Sequence, residues 1–280
     1  MSPGSERRVA AASVPGCQHV LQATPCQDAS AARDRGDFVI LAVSDGHGDA
    51  AYPLSDEGAR TAVAVGVEAL SALASRLVTA APSPAELDDL LRTLKRNVAF
   101  EWNRRIKYHA RMAAERDGTS ILWPLGIKGD WDERLKPYGC TLLCVAITPV
   151  GAVWFQLGDG DSLFASGNRA ERVFGVADKS SGQSTFSLSM RDCVEHMQVR
   201  FDEEPHELYL LATDGVGDQY ERDPAFEEEW GTSLLNRLRT TGWVECAMRL
   251  PRDLGTMARD GDDCSVALAW FPTPAPATTE

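Results

Sequence analysis

Residues 38–48 run Phe-Val-Ile-Leu-Ala-Val-Ser-Asp-Gly-His-Gly, an apolar stretch that stops abruptly on an acid and a histidine. Such a run reads as a buried strand delivering Asp45 and His47 to the rim of a sheet. Asp45 offers a hard oxygen suited to Mg²⁺ or Mn²⁺, Gly46 and Gly48 let the chain turn tightly, and His47 can move a proton near neutral pH. The design recurs at 207–213, Glu-Leu-Tyr-Leu-Leu-Ala-Thr, which ends in Asp214-Gly215-Val216-Gly217-Asp218. It is reversed where Asp263 precedes the run 265–271, and Asp28 follows a weakly alternating stretch read as a short strand. One such carboxylate is an ordinary turn former. Four of them, at Asp28, Asp45, Asp214 and Asp263, fit a shared rim better, because hard divalent cations need clustered carboxylates whose repulsion they offset.

The elements that must position these residues are a set of strands and two long helices. Ala59, Val63, Val67 and Leu70 recur at helical spacing within 55–77, and Leu87, Leu91, Leu94 and Val98 do so within 84–111. Ser83-Pro84 supplies a cap and first-turn pair for the second helix. Arg104, Arg105, Lys107 and Arg111 near its end read as a solvated face. Residues 117–136 lack periodicity and are expected to be irregular. Short apolar runs at 141–148, 152–157 and 162–165, separated by Pro149-Val150-Gly151 and Gly158-Asp159-Gly160, predict antiparallel hairpins. The polar stretch 175–197 is expected to form a mobile flap beside the rim.

With 280 residues, 44% of them hydrophobic and 25% charged, the chain has the composition of one globular domain. The expected domain covers 14–271, after a flexible segment 1–13 and before a loose tail 272–280. A net charge of -13 repels phosphate backbones and anionic lipid, so neither a nucleic-acid partner nor a membrane is expected. Seven cysteines without paired CxxC spacing predict reduced thiols, with Cys140, Cys144 and Cys193 as small core residues. No leader-like apolar stretch and no run judged long and uncharged enough for a bilayer is found, and a cytoplasmic monomer is the expectation.

Taken in order, PCQDA at 25–29, VSDGHG at 43–48, YGCTLL at 138–143, QLGDG at 156–160, LLATDGVGD at 210–218 and GDDCSVAL at 261–268 give the chain its family likeness. It resembles the metal-dependent type 2C protein phosphatases, and their bacterial branch in particular, over 16–271. The resemblance implies an α+β fold, a sandwich of two antiparallel sheets flanked by helices in an αββα arrangement. It also implies two Mn²⁺ or Mg²⁺ ions at one end of the sandwich and hydrolysis of phosphoserine or phosphothreonine in proteins by an activated water. On this likeness Asp45 bridges the two ions, the Gly46 carbonyl completes one, Asp214 and Asp263 bind the other, Asp28 holds ion-bound waters, and His47 is the general acid. A cognate kinase would be the natural counterpart.

Some positions depart from the family pattern. Ala23 stands where many members carry a phosphate-gripping arginine, Gln27 replaces a glutamate, and His19 is the nearest upstream donor to phosphate, if it is not simply structural. Lys136 stands at the third-metal aspartate while the other ligand of that site is kept as Asp218; Cys264 replaces a common asparagine. These departures support a second expectation, a weakly active or inactive phosphatase-like domain that binds phosphoproteins or signalling partners. A metal-dependent phosphodiesterase or nuclease is disfavoured by the acidic charge and the lack of a basic aromatic groove.

Overall fold

The computed structural model describes residues 7–118, 133–175, 185–217, 225–259 and 261–272. Two five-stranded sheets, antiparallel at every pairing, face one another. One is ordered β1 (Arg8–Val14), β10 (Cys264–Trp270), β9 (Leu208–Ala212), β6 (Asp161–Ser166), β7 (Arg169–Arg172). The other is ordered β2 (Ala29–Asp34), β3 (Val39–Ser44), β4 (Leu142–Thr148), β5 (Gly151–Leu157), β8 (Gln198–Asp202). Central strands are apolar on both faces because both faces are covered. Val39, Leu41 and Val43 of β3, Leu143 and Val145 of β4, and Tyr209 and Leu211 of β9 point between the sheets, while the alternate residues Ile40, Ala42, Leu142 and Cys144 face outward onto helices.

Those helices are α2 (Ser55–Thr79) and α3 (Pro84–Arg116). The expected residues Ala59, Val63, Val67 and Leu70 of α2 are all buried against the sheet. This helix is apolar and long enough to cross a membrane by composition, contrary to the sequence expectation; its buried face instead closes the core over β3 and β4. Ser83 and Glu86 form a reciprocal capping box that starts α3, with Pro84 in its first turn. The buried stripe of α3 is Leu94, Val98, Trp102, Ile106 and Ala110, later in the helix than expected, so Leu87 and Leu91 are only partly covered.

On the outer face of the other sheet lie α6 (Ala225–Thr241) and α7 (Trp243–Met257), not anticipated from the sequence, which bury Leu234, Leu235, Leu250 and Leu254 against Leu208, Leu210, Val266 and Leu268. Two more expectations need correction. Residues 8–13, assigned to a flexible segment, form most of β1 and pair with β10 from Arg8↔Trp270 to Val14↔Cys264. Residues 17–22, taken as part of a short strand, form the helix α1 (Cys17–Gln22), and Asp28 therefore precedes a strand rather than following one. Of the irregular stretch 117–136, residues 119–132 lie outside the described part, and Glu133–Tyr138 is a 3-10 turn. The tail from 273 lies outside it as well.

Candidate active site

The turn after β3 is held by three hydrogen bonds to Thr141. Thr141 N–H donates to the Asp45 carbonyl (2.8 Å), Asp45 N–H donates to Thr141 Oγ1 (2.9 Å), and Ser44 Oγ donates to the Thr141 carbonyl (2.5 Å). The YGCT motif thus clamps the acidic turn to the start of β4. Only glycine fits at position 46, where a Cβ would stand 2.6 Å from the Gln27 carbonyl oxygen and 2.8 Å from that of Ser55. Asp214 starts the short helical turn α5 (Asp214–Gly217) directly after β9 and Thr213.

At this rim Asp45, Asp159 and Asp214 each present an oxygen within 4.8 Å of the others. Asp159 lies in Gly158-Asp159-Gly160, which in the sequence is turn punctuation between two apolar runs. Its signal was the same as that of Asp45 and Asp214, an Asp-Gly step at the end of an apolar run. Thr185 Oγ1 donates to Asp159 Oδ2 (2.7 Å), leaving Asp159 Oδ1 buried without a partner among the described residues. Asp28 is buried, accepts from Thr213 Oγ1 at Oδ2 (2.7 Å), and also has a buried, unpartnered Oδ1. Thr213 Oγ1 in turn accepts from Ser265 N–H (2.9 Å), tying Asp28 to β9 and β10 together.

Crowding shows in the electrostatics. Burial pushes the Asp45 carboxyl well above its usual range, and the charges of Asp214, Asp28, Asp262 and Asp159 push it further. Burial likewise raises Asp28, against the Thr213 hydrogen bond and with the charges of Asp263 and Asp214. Orphaned carboxylate oxygens in a ring of like charge are what a hard divalent cation satisfies, so the residues present fit the ions that the sequence implies.

Asp263 is placed differently. Its Oδ1 accepts from Gly16 N–H (2.6 Å) and pairs with His19 Nδ1 (2.7 Å), and its Oδ2 accepts from Gln27 N–H (2.5 Å). Both oxygens of this buried carboxylate are therefore hydrogen-bonded within the protein, and with His19 and Asp262 it forms a second group whose possible ligand atoms lie within 4.8 Å of one another. Its neighbour Asp262 is exposed, accepts from Asp263 N–H (2.8 Å), and is the member of the pair whose charge is felt at Asp45. His19, considered as a phosphate donor, spends Nδ1 on Asp263. Asp218 lies outside the described residues.

His47 is part-buried beside the carboxylates. Burial lowers its pKa, and the Asp159 charge opposes that shift. Its backbone N–H donates to the Gly139 carbonyl (3.1 Å), and its ring meets that of Tyr52 edge-on, with centroids 4.8 Å apart. The expected flap is in part packed: Leu188 N–H donates to the Cys140 carbonyl and Cys140 N–H to Ser187 Oγ, both at 2.9 Å. Residues 176–184 of it lie outside the described part.

A family model for protein phosphatase 2C matches residues 15–253, and the chain belongs to that family. It is thereby a serine/threonine protein phosphatase of the class that uses Mn²⁺ or Mg²⁺. No curated protein matches it. Among solved structures, a bacterial serine phosphatase aligns with 98% of this chain and 100% of its own, at 13% identity and a TM-score of 0.59. The serine/threonine phosphatase Stp1 from Staphylococcus aureus covers 98% of both chains, at 13% identity and a TM-score of 0.59. A C. elegans sex determining protein aligns over 97% of this chain and 66% of its own, at 17% identity and a TM-score of 0.58. At these identities the likeness is one of fold, and the fold is the expected αββα sandwich.

Proposed function

We propose that this chain hydrolyses phosphoserine and phosphothreonine in protein substrates with two divalent ions held at the rim by Asp45, the Gly46 carbonyl, Asp214 and Asp262, with Asp28 and Asp159 adjacent. The observation that carries this reading is the set of crowded carboxylates with orphaned, buried oxygens at Asp28 and Asp159. When bound, the ions would supply an activated water and neutralise charge on the phosphoryl oxygens. This chain's own residues do the rest. The Thr141 and Thr213 hydroxyls fix Asp45 and Asp28, and His47, as imidazolium, gives its proton to the seryl or threonyl oxygen as the phosphorus–oxygen bond breaks. The chain is proposed to act as a monomer, and a protein kinase is the class of enzyme that supplies the substrate.

His47→Gln tests the reading. A poor alkoxide leaving group needs the acid and an activated aryl oxide hardly does. At saturating Mn²⁺, kcat on a phosphoserine peptide should fall by roughly 10²-fold and kcat on an activated aryl phosphate distinctly less. A uniform small loss removes His47 from proton transfer. Wild-type protein that turns over neither substrate with Mn²⁺, or whose turnover survives EDTA, would favour the inactive, phosphoprotein-binding alternative or a metal-free one.

A further inference from the structure

His47 sits between two loops that the backbone stitches together. Leu54 N–H donates to the Pro137 carbonyl and Gly139 N–H to that of Lys136, both at 2.9 Å, beside the His47-to-Gly139 bond. Tyr52 is itself fixed in a turn, with its N–H on the Asp49 carbonyl (2.9 Å) and its own carbonyl accepting from Ser55 N–H (3.1 Å). Its ring meets the His47 imidazole at 65° between planes, an edge-on geometry that aromatic quadrupoles favour. Lys136 Nζ lies over the same tyrosine ring, 5.7 Å from its centroid. Beneath both rings is Gly139, where an added Cβ would stand 2.6 Å from Tyr52 Cδ1 and 2.8 Å from His47 Cδ2. The imidazole is thus confined by a ring at its side and by bare backbone below, and the ring is confined by a cation.

We infer that Tyr52 is a positioning residue for His47, a ring braced by Lys136 that holds the imidazole against Gly139 in the orientation proton transfer requires. This rests on the proposed acid role of His47 and adds the residues that make it effective. A part-buried imidazole without such a brace samples other rotamers, and a displacement of about 1 Å in a reacting group costs up to about 10²-fold in rate.

The test measures kcat and KM for a phosphoserine peptide and for an activated aryl phosphate at saturating Mn²⁺. Tyr52→Ala should lower kcat on the peptide about 10-fold with KM little changed, and on the aryl phosphate by less than about 3-fold. Tyr52→Phe, which keeps the ring, should restore most of that loss, and Gly139→Ala should reproduce the pattern by pushing both rings aside. In a His47→Gln background Tyr52→Ala should add no further loss on the peptide, because the two residues act as one unit. Metal-free protein gives an independent readout: imidazole NMR signals assigned to His47 by their loss in His47→Gln should be single in wild type and broadened or doubled in Tyr52→Ala. Equal losses on both substrates, additive losses in the double variant, or an unperturbed His47 signal would overturn the inference. If His47→Gln itself shows no dependence on the leaving group, the acid role falls and this inference with it. If His47→Gln shows the dependence and Tyr52→Ala does not, only the role of Tyr52 falls.

Discussion

Two kinds of carboxylate share one rim of this sandwich. Asp45, Asp159 and Asp214 bring oxygens within 4.8 Å of one another, with Asp28 nearby, and one buried oxygen each of Asp159 and Asp28 has no partner among the described residues. Asp263, only one strand terminus away, has its acceptors taken by Gly16, His19 and Gln27. The first group leaves buried acceptors open at Asp28 and Asp159, whereas Asp263 is hydrogen-bonded at both oxygens and fastens the segment before β2 to the start of β10. The residue type is the same in both. What separates a ligand from an anchor is the supply of N–H donors, and that difference can be broken experimentally.

The largest effect is expected at the centre of the first group. Asp45→Asn should cut Mn²⁺-dependent hydrolysis by about 10³-fold or more while leaving circular dichroism native-like and unfolding cooperative, since a rim charge and not a core side chain is removed. Turnover near the wild-type level in that variant would defeat the assignment of Asp45 to the ions.

The adjacent pair Asp262 and Asp263 gives the sharpest contrast. Asp262→Asn should lose activity and weaken Mn²⁺ binding by isothermal titration with little change in melting temperature. Asp263→Asn puts an amide N–H₂ against a backbone N–H donor and removes charge-assisted hydrogen bonds, at a cost of about 2 kcal/mol. For a domain of this size that is a fall of roughly 4–8 °C in melting temperature. The reverse pattern, a stable Asp263→Asn that binds no ion, would return Asp263 to the metal site.

A smaller effect concerns pH in the metal-free protein. Asp45 and Asp28 hold their protons to higher pH in the folded chain than the ordinary carboxyl near 3.8. The folded state then binds more protons than the unfolded state above that value, so these groups cost stability as pH rises through the window between the ordinary and the raised pKa. Metal-free Asp45→Asn should therefore melt roughly 2–4 °C above metal-free wild type at neutral pH, the equivalent of about 1 kcal/mol, with the gap closing on acidification toward pH 4. Saturating Mn²⁺ should reverse the order by stabilising wild type alone. A gap that is independent of pH would show that charge crowding is not its source.

Much of the fold was legible because its signals are local. Apolar runs ending in Asp-Gly mark β3 and β9, turn residues mark the β4–β5 hairpin, and helical spacing marks α2 and α3. Less legible was β1, whose Arg-Val-Ala-Ala-Ala-Ser-Val is weakly apolar and becomes a strand because β10 offers it an edge. The same holds for α1, a six-residue helix too short to declare itself by periodicity. Asp159 was hidden in plain view, since the same Gly-Asp-Gly serves equally well as a hairpin turn.

By itself the sequence determined several apolar strands, the helices α2 and α3 and the presence of an acidic rim with a histidine beside it, because burial patterns and strand-terminal Asp-Gly steps are read within a few residues, whereas the layered sandwich followed from the family likeness. Only the tertiary structure decided which of two neighbouring aspartates is claimed by protein hydrogen-bond donors. The donors that claim Asp263 come from Gly16, His19 and Gln27, separated from it by 247, 244 and 236 positions. Nothing in Gly261-Asp262-Asp263-Cys264 states that they will arrive, and once they do, the acceptor strength of one carboxylate is spent and the other is left to the solvent-facing rim.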